Sequence, residues 1–238
     1  MKTVWTNIGL VLAVILVVSL VGCLANITGW SLVFWILLTA AGIVIALAYA
    51  DLGKPSLSFE PQPATTVELT GGGTSEITRF IYVKVLNNPL NHLWFVSRRT
   101  AFSCRGTISF MPTKDVPPPF DMKIRWSTNL QPIHPVALNN QIHYVRDPSL
   151  IRASEFIDIP ADEGELLDIC FRNPQEKIAN GWNSENYEFP KNRHPERNLS
   201  TGDYVVQIAL KHNDGVATHE FVLHNPDDVR GFELVSSS

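Results

Sequence analysis

The stretch Tyr204-Val205-Val206-Gln207-Ile208-Ala209-Leu210-Lys211-His212-Asn213-Asp214-Gly215-Val216-Ala217-Thr218-His219-Glu220-Phe221-Val222-Leu223 decides how most of this chain is read. Tyr204 to Leu210 and Val216 to Leu223 alternate apolar and polar residues, the period of a half-buried strand. Asp214-Gly215 lies between the two runs. A type I′ turn needs positive φ, which glycine accepts at little cost, so the pair predicts a β-hairpin.

Outward from this hairpin the same period recurs. Ile81, Val83 and Val85 share one face of Ile77–Leu86. Phe102, Cys104, Gly106, Ile108 and Phe110 oppose Ser103, Arg105, Thr107 and Ser109. Met122, Ile124 and Trp126 alternate with Lys123 and Arg125, and Phe156–Ile159 and Leu166–Phe171 add two candidates. Seven to nine short strands with almost no amphipathic helix predict a mainly β, antiparallel sandwich over 54–238.

Leu199-Ser200-Thr201-Gly202-Asp203-Tyr204-Val205-Val206 resembles the tyrosine corner of immunoglobulin-like sandwiches, in which a Tyr opening the penultimate strand bonds back to backbone just upstream. Antibody domains place a core cysteine two residues later, where this chain has Val206. Trp126 lies farther from Cys104 than that pattern wants. Tyr204, Trp126, Cys104 and Cys170 are the candidate structural residues. An apolar head combined with Lys54-Pro55-x-Leu57, Val83-x-Val85-x-Asn87 and Ala101-x-x-Cys104-Arg105 is similar to uncharacterised prokaryotic membrane-anchored proteins with an immunoglobulin-like domain. The resemblance implies architecture and brings no activity with it.

Residues 3–50 contain no Asp, Glu, Lys or Arg. Val4–Ala25 and Trp30–Ala50 each have the length of a membrane-crossing helix, and Trp5, Trp30 and Trp35 lie near segment ends. With the short connection Asn26-Ile27-Thr28-Gly29, they predict a transmembrane hairpin over 1–53, hence a multi-pass protein integral to the cell membrane. Lys2, the terminal amine and Lys54 flank the hairpin and favour a cytoplasmic β domain by the positive-inside rule. The alternatives are a cleaved signal peptide, or a lipobox at Leu20-Val21-Gly22-Cys23. Either places the domain outside the cytoplasm and makes a Cys104–Cys170 bridge plausible.

From Asp51 onward the charge is 18 − 23 = −5, which disfavours nucleic acid as a partner. Three cysteines without CxxC or a zinc spacing exclude a disulfide scaffold and a zinc finger. His219-Glu220 starts like HExxH, but Leu223 occupies the second histidine position. Asp158, Asp162, Glu163, Glu165 and Asp168 lack EF-hand order and read as a solvated turn. No serine sits in a GxSxG elbow, and Gly71-Gly72-Gly73 lacks the Lys-Ser/Thr of a phosphate loop. No catalytic residue, metal ligand or cofactor is therefore expected. Asn173 to Asn198 is long for a loop and carries Trp182, Tyr187 and Phe189, which read either as a recognition loop or as a cap over the sandwich end. The functional expectation is a non-enzymatic interaction module with a protein partner. The alternatives are a small-ligand or carbohydrate-binding accessory domain and an unrecognised hydrolase.

Overall fold

The computed structural model describes residues 31–71, 74–90, 97–113, 118–138, 141–152 and 156–237. The chain divides into two compact units, Met1–Lys54 with Leu90–Arg98, and Pro55–Pro89 with Arg99–Ser238.

In the first unit, helix α1 spans Ser31–Leu52. Gly53, Asp51 and Lys54 close it. The Gly53 amide donates to the Tyr49 carbonyl at 3.1 Å, and Lys54 Nζ pairs with Asp51 at 2.6 Å. Pro55 then stops any continuation. Among the described residues, no helix is long and apolar enough to cross a membrane. This corrects the expected two-helix transmembrane hairpin and the multi-pass membrane placement. The expected helix at 4–25 lies outside the described residues, as do Cys23 and the turn at 26–29.

The second unit is mainly β and antiparallel throughout. One sheet has seven strands: β1 (Leu57–Pro61), β2 (Thr65–Gly71), β3 (Thr74–Asn87), β6 (Arg125–Trp126), β10 (Gly164–Arg172), β11 (Ala179–Gly181) and β12 (Asn198–Leu199). Its path runs β1-β3-β10-β11-β12. Strand β3 is long enough to hold β1 and β2 in tandem along one edge, while β10 holds β6 and β11 along its far edge. The other sheet has six strands: β4 (Ala101–Pro112), β5 (Phe120–Lys123), β9 (Ile157–Ile159), β13 (Gly202–His212), β14 (Gly215–Asn225) and β15 (Glu233–Ser236), in the path β15-β14-β13-β4-β5 with β9 on β4. Ile81, Val83, Val85 and Leu167 from the first sheet meet Ile108, Phe110, Val206, Ile208, Leu210, Phe221 and Leu223 from the second in one core. The two sheets form a β-sandwich.

The hairpin β13–β14 pairs over its whole length, from Gly202↔Asn225 to His212↔Gly215. Its turn residues are therefore Asn213-Asp214 and not Asp214-Gly215. Gly215, at φ +158°, opens β14. Strand β4 departs from simple alternation. Ser103 has φ 53° and the β4–β9 register shifts between Ala101 and Cys104. This irregularity rotates the chain, so Cys104 is buried while Phe102 is 46% exposed. Farther along, the Gly106 backbone runs hard against β13. A Cβ there would lie 1.9 Å from the Ala209 carbonyl oxygen, a place only glycine can fill.

The opposite face of the seven-stranded sheet is also covered. A hairpin of β7 (Ile133–Leu138) with β8 (Gln141–Arg146) and the short helix α2 (Pro148–Arg152) are inserted after β6. Ile151 of α2 joins Phe80, Phe171, Trp182 and Tyr187 in a second hydrophobic cluster, against which Ile133 and Tyr82 pack.

Candidate functional site

The three aromatic residues of the long Asn-rich segment do not stand together. Trp182 and Tyr187 are 4% and 5% exposed. Their ring centroids are 5.0 Å apart in a T-shaped contact, and Trp182 meets Phe171 at 5.1 Å and Phe80 at 5.6 Å. Edge-to-face geometry of this kind favours interior packing. Phe189 is half-buried, 4.2 Å from the His194 ring. Two of the rings are thus interior packing, and one remains at the surface.

The asparagines explain why this segment is ordered. Asn186 Nδ2 donates to Asn180 Oδ1 at 2.8 Å, to Gly181 O at 2.9 Å and to Asn192 O at 3.1 Å. The buried Arg197 guanidinium donates to the Asn183 and Asn186 side-chain oxygens and to the Glu185 carboxylate. Asn183 caps the 3-10 turn Ser184–Glu188 through the Glu185 amide at 2.9 Å. Buried polar groups persist where they are bonded, and this network holds the segment rigid.

The candidate structural residues are all interior. The Tyr204 hydroxyl donates to the Ser200 carbonyl at 3.1 Å. The Trp126 indole N–H donates to the Cys104 carbonyl at 3.3 Å. Cys104 and Cys170 are free and buried. Burial pushes the Cys104 thiol up to about 11, with Asp158 adding to it, and burial drives Cys170 higher still. Neither thiol is a nucleophile at neutral pH in the folded protein.

Two charged residues expected at the surface are buried instead. Arg125 lies opposite Asp168 in the β6–β10 pair, and their side chains form an ion pair that Ser127 also joins. The Arg125 guanidinium further donates to the Asn129 carbonyl at 3.1 Å. Burial pushes the Asp168 carboxyl upward; Arg125 and the Ser127 hydrogen bond oppose that without reversing it. Tyr82 beside this pair is pushed up to about 12, first by burial and then by Asp168. The Arg125 and Asp168 side chains are enclosed, while Tyr82 is half-buried.

An open concavity lies elsewhere. It has a volume of about 320 Å³ and is walled by Arg105, Thr107, Lys123, Lys211 and the Asn183–Glu185 turn. The sheet register builds it. Arg105 and Thr107 lie two residues apart on the outer face of β4. Lys211 of β13 is directly opposite Arg105, and Lys123 of β5 is directly opposite Thr107. Ile124 and Ile151 close the floor. Among the described residues, Arg105, Lys123 and Lys211 form no ion pair. The carboxylate in the wall, Glu185, is paired with Arg197. Burial alone would raise Glu185, but the Arg197 hydrogen bond and charge, with Lys123, hold it below its ordinary value.

No family model, curated protein or solved structure matches this chain. Like charges placed directly opposite across a β-ladder are destabilising, and the Arg105/Lys211 pair is such a case. A local rule broken without internal compensation marks a site with another purpose. The rigid Asn-rich turn supplies the opposing wall. The sequence signalled none of this, because the register of β4 against β13 depends on residues about a hundred positions apart. The signal present was only the alternation that put Arg105 and Thr107 on the polar face.

Proposed function

We propose that the β unit is a non-enzymatic recognition module that takes a small ligand in the concavity between the outer face of β4, β5 and β13 and the Asn183–Glu185 turn. The observation that carries this reading is a preformed hollow of about 320 Å³, at the lower end of the usual range for small-molecule sites. Its walls come from strands and from a hydrogen-bonded turn, so little ordering remains for binding to impose. The burial of Trp182 and Tyr187 removes the rings that would have given a protein partner its contact area.

The fold reading that accompanies this proposal is immunoglobulin-like. It is supported by the order β14-β13-β4-β5 facing β1-β3-β10, and by the Tyr204–Ser200 hydrogen bond at the start of β13.

A thermal-shift screen of the full chain against neutral sugars, carboxylates, phosphates and divalent metals tests the function. A parallel variant, Thr107→Trp, fills the hollow with an exposed side chain. At least one compound class should raise Tm in the native chain and fail to do so in Thr107→Trp. The reading falls if every effective compound acts equally on both proteins, or if none acts.

A further inference from the structure

We infer that the ligand of this concavity is a small phosphorylated compound, held by the Arg105, Lys123 and Lys211 side chains; the inference rests on the recognition reading above. Three cations project into one hollow from three adjacent strands, and their positions are fixed by register and not by loop conformation. Glu185 interacts with Lys123, but its carboxylate is bonded to Arg197 and its single charge leaves Arg105 and Lys211 uncompensated. The hollow itself therefore carries a surplus of positive charge in a domain whose overall charge is negative.

Several features select phosphate over a single carboxylate. A monocarboxylate offsets one charge and leaves two cations facing each other. A phosphate ester or diphosphate carries two or more charges and three terminal oxygens per terminal group, enough to meet one guanidinium fork and two ammonium groups together. The Thr107 hydroxyl lies between Arg105 and Lys123 on the same face and offers a further donor. The apolar floor of Ile124 and Ile151 receives the uncharged part of the molecule. The volume limits that part to a small fragment.

The test titrates the full chain by calorimetry with three probes: inorganic phosphate, inorganic pyrophosphate and the neutral disaccharide maltose. Saturable pyrophosphate binding is expected, weakened by salt between about 0.05 and 0.5 M. Arg105→Gln and Lys211→Gln should each weaken it roughly ten- to a hundredfold, the loss of one charge-assisted hydrogen bond. Arg105→Lys should recover part of the loss. Lys177→Gln, which removes a surface cation outside the concavity, should leave binding unchanged. Arg105 and Lys211 are exposed, so the variants should retain the native circular dichroism, with a Tm equal to or above that of the native chain because a like-charge pair is relieved. Pyrophosphate binding that is equal in all variants overturns the inference. If maltose binds in a Thr107→Trp-sensitive manner and pyrophosphate does not, the charge inference falls while the recognition reading stands. If no probe binds and the screen finds no Thr107→Trp-sensitive compound, both fall.

Discussion

At the scale of single residues, the Arg125–Asp168 pair has the sharpest consequence. Both side chains are almost fully enclosed, at 5% and 3% exposure. Burying two charges costs several kcal/mol, which their attraction only roughly offsets, whereas removing one partner strands the other. Asp168→Asn should therefore lower stability by about 3–5 kcal/mol. The double variant Arg125→Met with Asp168→Leu should recover most of that loss, as measured by urea denaturation. A double variant as unstable as the single one would show that the pair is a net contributor. The sequence could not reveal this partnership. Arg125 sits at an alternating position that reads as solvent-facing, and Asp168 sits in an acidic run that reads as a turn. Only the β6–β10 register brings the two together.

Among the elements, strands and the segment after β11 differ in how legible they are. Strand periodicity is a local property, and the residues that predicted β3 and β13 form their buried faces. It failed where the backbone departs from regularity, at Ser103 in β4. The Asn-rich segment has no period at all, because its order comes from side-chain amides bonding to backbone that is distant along the segment. Glu185 and Arg197 fasten that segment together. The Glu185 pKa is lower in the folded protein than its ordinary 4.5. The unfolded chain therefore binds the proton more readily, and the stabilisation is present above about pH 4.5 and is lost below it, as pH falls through the lower folded-state pKa. Amide hydrogen exchange over 183–192 should be slow at pH 7 and should quicken on acidification relative to Val206–Leu210 of β13, a stretch without a charged residue. Arg197→Met should give that fast exchange already at pH 7. Unchanged protection in the variant would mean that the asparagines alone hold the segment.

For the molecule as a whole, two asparagines tie the sheets at opposite ends of the sandwich. Asn87 closes β3, and its side-chain amide donates to Arg99 O at 2.9 Å and Ile159 O at 3.1 Å. Asn225 closes β14, where its amide donates to Leu199 O and Ser200 O, both at 2.9 Å, while its oxygen accepts from Arg172 of β10 at 2.7 Å. Arg172 is itself 1% exposed and also bonds the Glu176 and Asp227 carbonyls. Asn225→Ala leaves several of these groups unsatisfied and should cost about 3 kcal/mol, lowering Tm by roughly 6–12 °C for a domain of this size. A drop of only a degree or two would mean that water replaces the lost bonds. Another consequence follows from the pairing of β4 with β13, since β4 ends at Pro112 and β13 begins at Gly202. During synthesis at roughly 5–20 residues per second, about 5–20 s pass between the two. Throughout that interval Ile108 and Phe110 have β5 to pair with on one side but no β13 on the other. Aggregation hazard is thus concentrated in one window of translation, and chaperone dependence of the newly made protein is set by how quickly the ribosome traverses 113–201.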